Sequence, residues 1–355
     1  MNTIVKKCFL ICAYVLVLSC SQHINNDVSK INSSTKENAK PLTLKEVPTG
    51  EALDFAEECY LYNDILVVLN YSNSNKHFLE FYDINTMELK KQAIMRGNGP
   101  EELIEIVCVN YDNHILVNGF MEKKLAKIYV EDFVKDKNAK IDYIDYKSGT
   151  QRQYLFDDNR VLVVNPYRFI DNKLNINQDD PRFIIMDATD RLLPNGRINA
   201  INVNIGGILV NHTDKKICYY SNATAEIEIY DFDLNLIKTI TGPDKIIPEY
   251  STNNGVSINF ASYIPLTYTY AHSDDSYMYL VYEGRSIYHE DIIRSGGKIE
   301  NLETWIFKLD WDGNVVDTYK VSKEKKILSL SVTKNGALYL CCKEEGLIKL
   351  FKAEL

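Results

Sequence analysis

The sequence predicts an all-β chain built as a six-bladed β-propeller of four-stranded blades, and three observations carry that prediction. Helical periodicity is scarce beyond residue 40, while short β-branched and aromatic runs recur between turns rich in Asp, Asn and Gly. The runs group into units of about four strands, and about six units divide residues 41–355 at roughly 52 residues each, near the 40–50 of propeller blades. The two ends are complementary: the last unit holds three strand-like runs, and the segment 42–47 is a strand-like run alone.

The hairpins are clearest at residues 78–92 (FLEFYDINTMELKKQ), 227–240 (IEIYDFDLNLIKTI) and 306–321 (IFKLDWDGNVVDTYKV). Each alternates apolar residues, places an Asp near the end of the first strand, and turns on a short polar stretch. Weaker hairpins are read at 126–133 and 183–195. Further strand pairs precede them, at 58–62 with 65–71, at 208–211 with 216–221, and at 263–272 with 276–283. The last unit reads 327–333, 337–343 and 347–354. If 42–47 supplies its outer strand, the ring closes and few sheet edges stay open. A β-sandwich or two stacked β domains would draw on the same strands.

The N-terminus has a different character. Lys6 and Lys7 precede an apolar run over 8–18, which ends Val17-Leu18-Ser19-Cys20. The run is too short to cross a bilayer, which takes about 20 residues, and it suits a cleaved secretory signal. Its ending resembles the lipobox of bacterial lipoproteins, with the less usual Leu18 at the second position. That resemblance implies cleavage after residue 19 and a lipid on Cys20. Residues 21–40 (SQHINNDVSKINSSTKENAK) are polar, with few apolar side chains to bury. They are expected to form a flexible tether between lipid and domain. The chain thus divides into a signal peptide (1–19), a lipidated Cys and flexible tether (20–40) and a propeller domain (41–355).

The formal net charge of -9 becomes -11 without residues 1–19, which carry two lysines and no acid. An acidic chain with no basic block is a poor partner for nucleic acid. The five cysteines after Cys20 (Cys59, Cys108, Cys218, Cys341 and Cys342) have no spacing of a disulfide framework or a zinc site. Most fall inside strand-like runs, as small buried hydrophobes.

Lipobox, polar tether and about six divergent four-stranded units together resemble the TolB-like six-bladed propeller lipoproteins of Bacteroidetes. The most specific local match is Arg96-Gly97-Asn98-Gly99-Pro100-Glu101-Glu102 directly after the first hairpin, with an echo at Thr241-Gly242-Pro243-Asp244. The resemblance spans essentially the whole chain, in pattern more than in fixed residues. It implies a fold and a cell-envelope address rather than a chemistry. Surface-displayed lipoproteins of that phylum often carry acids close behind the cysteine. Here Ser21, Gln22 and His23 follow it and Asp27 is the first acid, so the domain is expected on the periplasmic side of the outer membrane.

Candidate chemistry is sparse. The RGNGPEE stretch lacks the Gly-Lys-Ser/Thr ending and the following helix of a phosphate loop, and it reads as a connection between blades. Asp310-Trp311-Asp312-Gly313-Asn314 resembles the start of a calcium loop but lacks the later ligands. The Asp residues at the same corner in other hairpins (Asp83, Asp231 and Asp233) point instead to turns held by their own side chains. His272-Ser273-Asp274-Asp275 reads as a solvated turn. No Gly-x-Ser-x-Gly elbow and no His ligand pair is present, so no catalytic residue, metal or cofactor is assigned. The tyrosines, 24 in all and crowded at 263–282, suit packing between blades or a stacking platform for a sugar or peptide.

The candidate binding residues are Arg96, Asn98 and Glu101 in the Gly-rich connection, and Arg285, Tyr288, His289 and Arg294 in the excursion 282–304. Two functions fit. One is a membrane-anchored envelope lipoprotein whose propeller binds or scaffolds a peptide, glycan or protein partner. The alternative is a propeller hydrolase or lyase acting on polysaccharide or peptide at the central channel, which would gather acids and histidines there.

Overall fold

The computed structural model describes residues 27–354, apart from 73, 112, 120–123, 146–151, 158–159, 165–167, 171–172, 176–182, 188–191, 194–205, 245, 247–249, 254–256, 261–262, 289–302, 323 and 334. Six sheets with four antiparallel strands each follow one another along the chain. Blade 1 is Ala56–Tyr62, Ile65–Asn70, His77–Asp83 and Leu89–Arg96, with Glu102–Leu103 added parallel at its outer edge. Blade 2 is Val107–Asn110, His114–Gly119, Lys124–Tyr129 and Asp142–Asp145. Blade 3 is Arg152–Asp157, Arg160–Val164, Phe183–Asp187 and Leu192–Leu193. Blade 4 is Gly206–Asn211, Lys216–Ser221, Glu226–Asp231 and Leu236–Thr241. Blade 5 is Tyr263–Ser273, Tyr277–Tyr288, Thr304–Asp310 and Val315–Val321. Blade 6 is Lys326–Val332, Leu338–Glu344 and Leu347–Glu354, completed by Thr43–Val47.

That completion is the closure expected of 42–47. Thr43 stands opposite Glu354 and Val47 opposite Leu350, so the start and the end of the domain share one blade. The first strands of blades 4, 5, 6 and 1 lie side by side around the axis. All six first strands run the same way, so each inner turn emerges on one face of the ring and each blade-to-blade connection on the other.

Burial explains the composition of the strands. A second strand such as Ile65–Asn70 (ILVVLN) packs both faces against neighbouring blades and is apolar almost throughout. The outer strand Leu89–Arg96 is exposed over its first residues and carries lysines there. The core therefore lies between blades. Tyr282, Phe307 and Met278 of blade 5 pack on Ile227, Ile229 and Cys218 of blade 4. Phe78 and Phe81 of blade 1 meet Ile115, Ile128 and Phe133 of blade 2. Each such side chain contributes about 1.5–3 kcal/mol when fully buried. The five cysteines among the described residues are free, and four of them are buried within strands.

Three expectations are corrected. The segment 20–40 is not a tether throughout. From Asp27 it is part of the ring: Asp27–Lys30 adds parallel to the outer strand of blade 4, and Lys40–Pro41 adds parallel to that of blade 5. Between them the short helix Ser33–Glu37 is fixed by Lys36, whose Nζ lies 2.5 Å from Asp244 and 4.5 Å from the Trp305 ring centre. One buried apolar residue, Ile31, was enough to seat a polar segment, because unpaired sheet edges supplied the backbone partners. The remaining residues of 20–40, with Cys20, lie outside the described residues.

Residues 126–133 are not a hairpin. The strand Lys124–Tyr129 runs into the helix Val130–Lys135, which replaces a turn. Glu131 and Asp132 in its first turn and Lys135 in its last suit the helix dipole, and Val130 and Phe133 bury one face. His272, expected in a solvated turn, lies within the long first strand of blade 5 and is 2% exposed.

Candidate functional site

The two faces of the ring differ. On one, connections within hairpins are short, as at 63–64, 212–215, 232–235 and 274–276. We call this the turn face. On the other, the loop face, lie the Gly-rich stretch 97–106, the hairpin Tyr250–Asn253 with Ser257–Phe260, and the hairpin Arg168–Ile170 with Lys173–Asn175. The first two strands of blade 5 also run on past its third strand, pairing Tyr263 with Tyr288 and Leu266 with Arg285. Long excursions from a rigid scaffold are where binding surfaces are usually built.

A cavity of about 270 Å³ opens at the loop-face end of the channel. It is walled by Glu57, Glu58 and Tyr60 from the start of blade 1, Tyr71 after its second strand, Cys108 from blade 2, and Thr269 and Tyr270 from blade 5. Tyr60 donates its hydroxyl hydrogen to the Glu58 carboxylate, and Tyr71 donates to the Ile106 carbonyl. Thr269 Oγ1 is shielded from solvent and has no hydrogen-bond partner among the described residues. Phe55 and Ile104, which are 64% and 51% exposed, lie on connections of the same face.

The electrostatics of this mouth are negative. Burial, and after it Cys108 and the acids Glu57, Glu58 and Glu105, push the Tyr71 phenol well above its ordinary value. Burial and then Glu58 do the same to Tyr60. Burial and Glu58 raise the Cys108 thiol, so it stays protonated and is a poor nucleophile. Aromatic rings, acids and an unsatisfied hydroxyl suit the recognition of hydroxyl-rich or cationic groups. Among the described residues no group of three or more His, Cys, Asp or Glu gathers to hold a metal ion.

Arg96 stands behind this wall. Its guanidinium lies 3.9 Å from the Phe78 ring centre and 5.7 Å from that of Tyr71, and Nη2 donates to the Asn70 carbonyl at 2.5 Å. Burial lowers its pKa, and Nε has no partner among the described residues. Arg96 thus braces the Tyr71 side of the cavity. Asn98 and Glu101 are exposed on the adjoining connection, where Tyr143 donates to the Glu101 carbonyl at 3.0 Å. The Gly-rich loop closes on itself: the Gly99 N–H donates to Glu102 Oε2 at 2.8 Å, filling the place an anion would take. At Gly97 (φ 151°) a Cβ would collide with that carboxylate.

Arg285 and Tyr288 lie on the extended hairpin of blade 5, on the same face as Arg96 and separated from blade 1 by blade 6. His289 and Arg294 lie outside the described residues. The cavity residues Glu57, Tyr71 and Thr269 had no motif to mark them. Their only signal is position, Glu57 and Tyr71 at the ends of the first two strands of a unit and Thr269 within a first strand, and it becomes readable once the ring register is known.

A second cavity, about 210 Å³, opens at the turn face between Tyr111, His114, His212 and Asp274. His114 stacks on Tyr111 at 4.5 Å and 6°. Burial pushes its pKa down to about 3, and that of His272 to about 4, so both imidazoles are neutral near pH 7. The corner aspartates are occupied by their own turns. Asp310 Oδ1 accepts from Asp312 N–H at 3.0 Å and Asn314 N–H at 2.8 Å, and Asp231 Oδ1 from Asp233 N–H and Asn235 N–H at 2.9 and 2.8 Å. Asp83 does likewise with Asn85 and Thr86.

A family model described as TolB-like 6-blade propeller-like matches residues 38–335. Among solved structures, the chain is similar to a member of the DUF4221 family from Bacteroides vulgatus. The two are 11% identical, with a TM-score of 0.56 over 89% of this chain and 99% of that one. It is also similar to a protein of Bacteroides fragilis described as exported, at 13% identity and a TM-score of 0.54 over 92% and 99% of the two chains. No curated protein matches the sequence. No helix among the described residues is long and apolar enough to cross a membrane.

Proposed function

Because the chain belongs to the TolB-like six-bladed propeller family, we propose that it is a lipid-anchored protein of the cell envelope whose propeller binds a peptide, glycan or protein partner at the loop face. The observation that carries the binding reading is the cavity of about 270 Å³ beneath the longest connections, walled by Glu57, Tyr60, Tyr71, Thr269 and Tyr270. Its acids and rings favour hydroxyl-rich sugars and basic peptides. The lipobox-like ending at Cys20 and the exported relative in Bacteroides fragilis support the address. The absence of acids directly behind Cys20 favours a periplasmic-facing domain on the outer membrane.

Binding is tested by thermal unfolding of the mature protein with envelope-derived oligosaccharides and with Lys- and Arg-rich peptides, in wild type and in Glu57→Gln and Tyr71→Ala variants. A ligand whose stabilisation of the wild type is lost in the variants supports the site. Equal stabilisation of all three moves the site elsewhere. The anchor is tested by palmitate incorporation and membrane fractionation of wild type and Cys20→Ala. A wild type without label in the soluble fraction overturns it.

A further inference from the structure

The first described strand fixes the side from which the chain joins the ring. Asp27–Lys30 runs parallel to Leu236–Thr241, with Asp27 opposite Lys238 and Lys30 opposite Thr241. Leu236–Thr241 itself begins at the turn 232–235 and ends where the chain leaves for blade 5, so it runs from the turn face to the loop face. The parallel segment therefore arrives from the turn face. From there it is held fast: Ile31 is buried, its N–H donates to the Thr241 carbonyl at 2.9 Å, Lys36 pairs with Asp244, and the Leu42 N–H donates to the Lys320 carbonyl at 2.9 Å.

Cys20 precedes Asp27 by 7 residues. Seven residues reach at most about 25 Å when fully extended. That is little more than the height of one blade, since a six-residue strand spans about 20 Å. The rim beside this point also carries exposed apolar side chains. Ile237 is 42% exposed and Val316 48%, both near the turn-face ends of the outer strands of blades 4 and 5, and Val28, opposite Thr239, is 68% exposed beside them. Acyl chains on Cys20 would hold this rim against a lipid surface, where exposed apolar side chains are accommodated.

We propose that the turn-face rim of blades 4 and 5 faces the membrane and that the loop face, with its cavity, is presented away from it. The inference rests on the lipid-anchor reading of Cys20 and adds an orientation to it. The partner is a lipid surface, and the loop face is left open to whatever the cavity binds.

The test uses the full lipidated protein in phosphatidylethanolamine and phosphatidylglycerol vesicles that carry an energy-transfer acceptor on the headgroups. A fluorophore is attached to one introduced cysteine at a time: Asp233→Cys on the turn face of blade 4, Thr224→Cys on its loop face, and Asp54→Cys on the loop face of blade 1. Cys59, Cys218, Cys341 and Cys342 are buried, and Cys108 is half-buried. Transfer is expected to be several-fold higher from position 233 than from 224, and lowest from 54. Insertion of about a dozen Gly and Ser residues after Ser21 should flatten this gradient, because a long flexible linker removes the restraint. Vesicle-bound protein with equal transfer at all three positions, or with the highest at 54, overturns the orientation while leaving the anchor intact. Protein that fails to bind vesicles with Cys20 present overturns the anchor reading itself, and Cys20→Ala supplies the unbound baseline.

Discussion

Ser329 and Cys59 are 270 residues apart and hold the first strands of blades 6 and 1 together. Ser329 Oγ donates to the Cys59 carbonyl at 2.6 Å and accepts from the Cys59 N–H at 3.2 Å. Two residues along, Ser331 Oγ accepts from the Leu61 N–H at 2.9 Å. The first strands of a propeller splay from the axis and cannot form a ladder with one another, so their inward backbone groups need other partners. Thr267 makes a related bridge, from the first strand of blade 5 to the end of the second strand of blade 4 and the connection that follows it. Its Oγ1 donates to the Ser221 carbonyl at 2.5 Å and accepts from the Ala225 N–H at 3.2 Å.

Ser329→Ala is therefore expected to cost about 1–3 kcal/mol, because it leaves a buried donor and acceptor unpaired. Urea unfolding measures it, with the exposed Ser74→Ala as control. A cost equal to that of the control would mean that water replaces the hydroxyl and that the serine is not a bridge.

These bridges mark the limit of what the sequence discloses. The hairpins at 227–240 and 306–321 are legible because alternation and an Asp corner are local signals, and the strands formed close to where they were read. The closure by Thr43–Val47 was legible because a lone strand and a three-stranded unit complete each other. Ser329, Thr267 and Glu57 were not, because their roles depend on which residue of a first strand turns toward the next blade. That is a property of ring register. The segment from Asp27 was misread for a related reason: a polar sequence shows no core of its own, and its partners are edges contributed by residues some 200 positions away.

Lys36→Ala should loosen that segment. It removes an ion pair with Asp244, whose carboxylate also accepts from the Tyr282 hydroxyl at 2.9 Å, and a cation resting on Trp305. The pair is partly buried, with side chains 18% and 31% exposed, so a cost of about 1–2 kcal/mol is expected. Trypsin should cut faster at Lys30 and Lys40 in the variant, with cleavage inside the blades unchanged. An unchanged cleavage rate would show that Ile31 and the backbone pairing suffice to hold the segment.

The corner aspartates should be insensitive to calcium. Both carboxylate oxygens of Asp310 are taken within its turn, Oδ2 by the Asn314 side-chain amide at 3.0 Å. Chelator or added calcium should leave the unfolding midpoint where it is. Asp310→Ala should lower stability by about 1 kcal/mol through the lost turn bonds, and Asp310→Asn by less. A midpoint that rises with calcium in the wild type and not in Asp310→Ala would reverse this reading.

Stability should fall between pH 6.5 and 4 because of His272. Its imidazole is buried, and burial lowers its pKa from 6.5 to about 4, opposed in part by Asp274 and by a backbone hydrogen bond at Val332. The folded state thus binds the proton less readily than the unfolded chain. The contribution is complete above pH 6.5, where both states are neutral, and is lost as pH falls toward 4 and the unfolded chain alone takes up the proton. The full shift corresponds to about 3 kcal/mol. Carboxylates act lower on the scale. The Lys325 and Lys349 ammonium groups hold Glu344 below its ordinary value, so its contribution persists to more acid pH. Unfolding free energies of wild type and His272→Phe, measured from pH 7 to 4.5, separate the two. The variant should be less pH-dependent than the wild type across that range, whatever its absolute stability. Parallel curves would mean that His272 titrates alike in both states, and that its burial is relieved before the proton arrives.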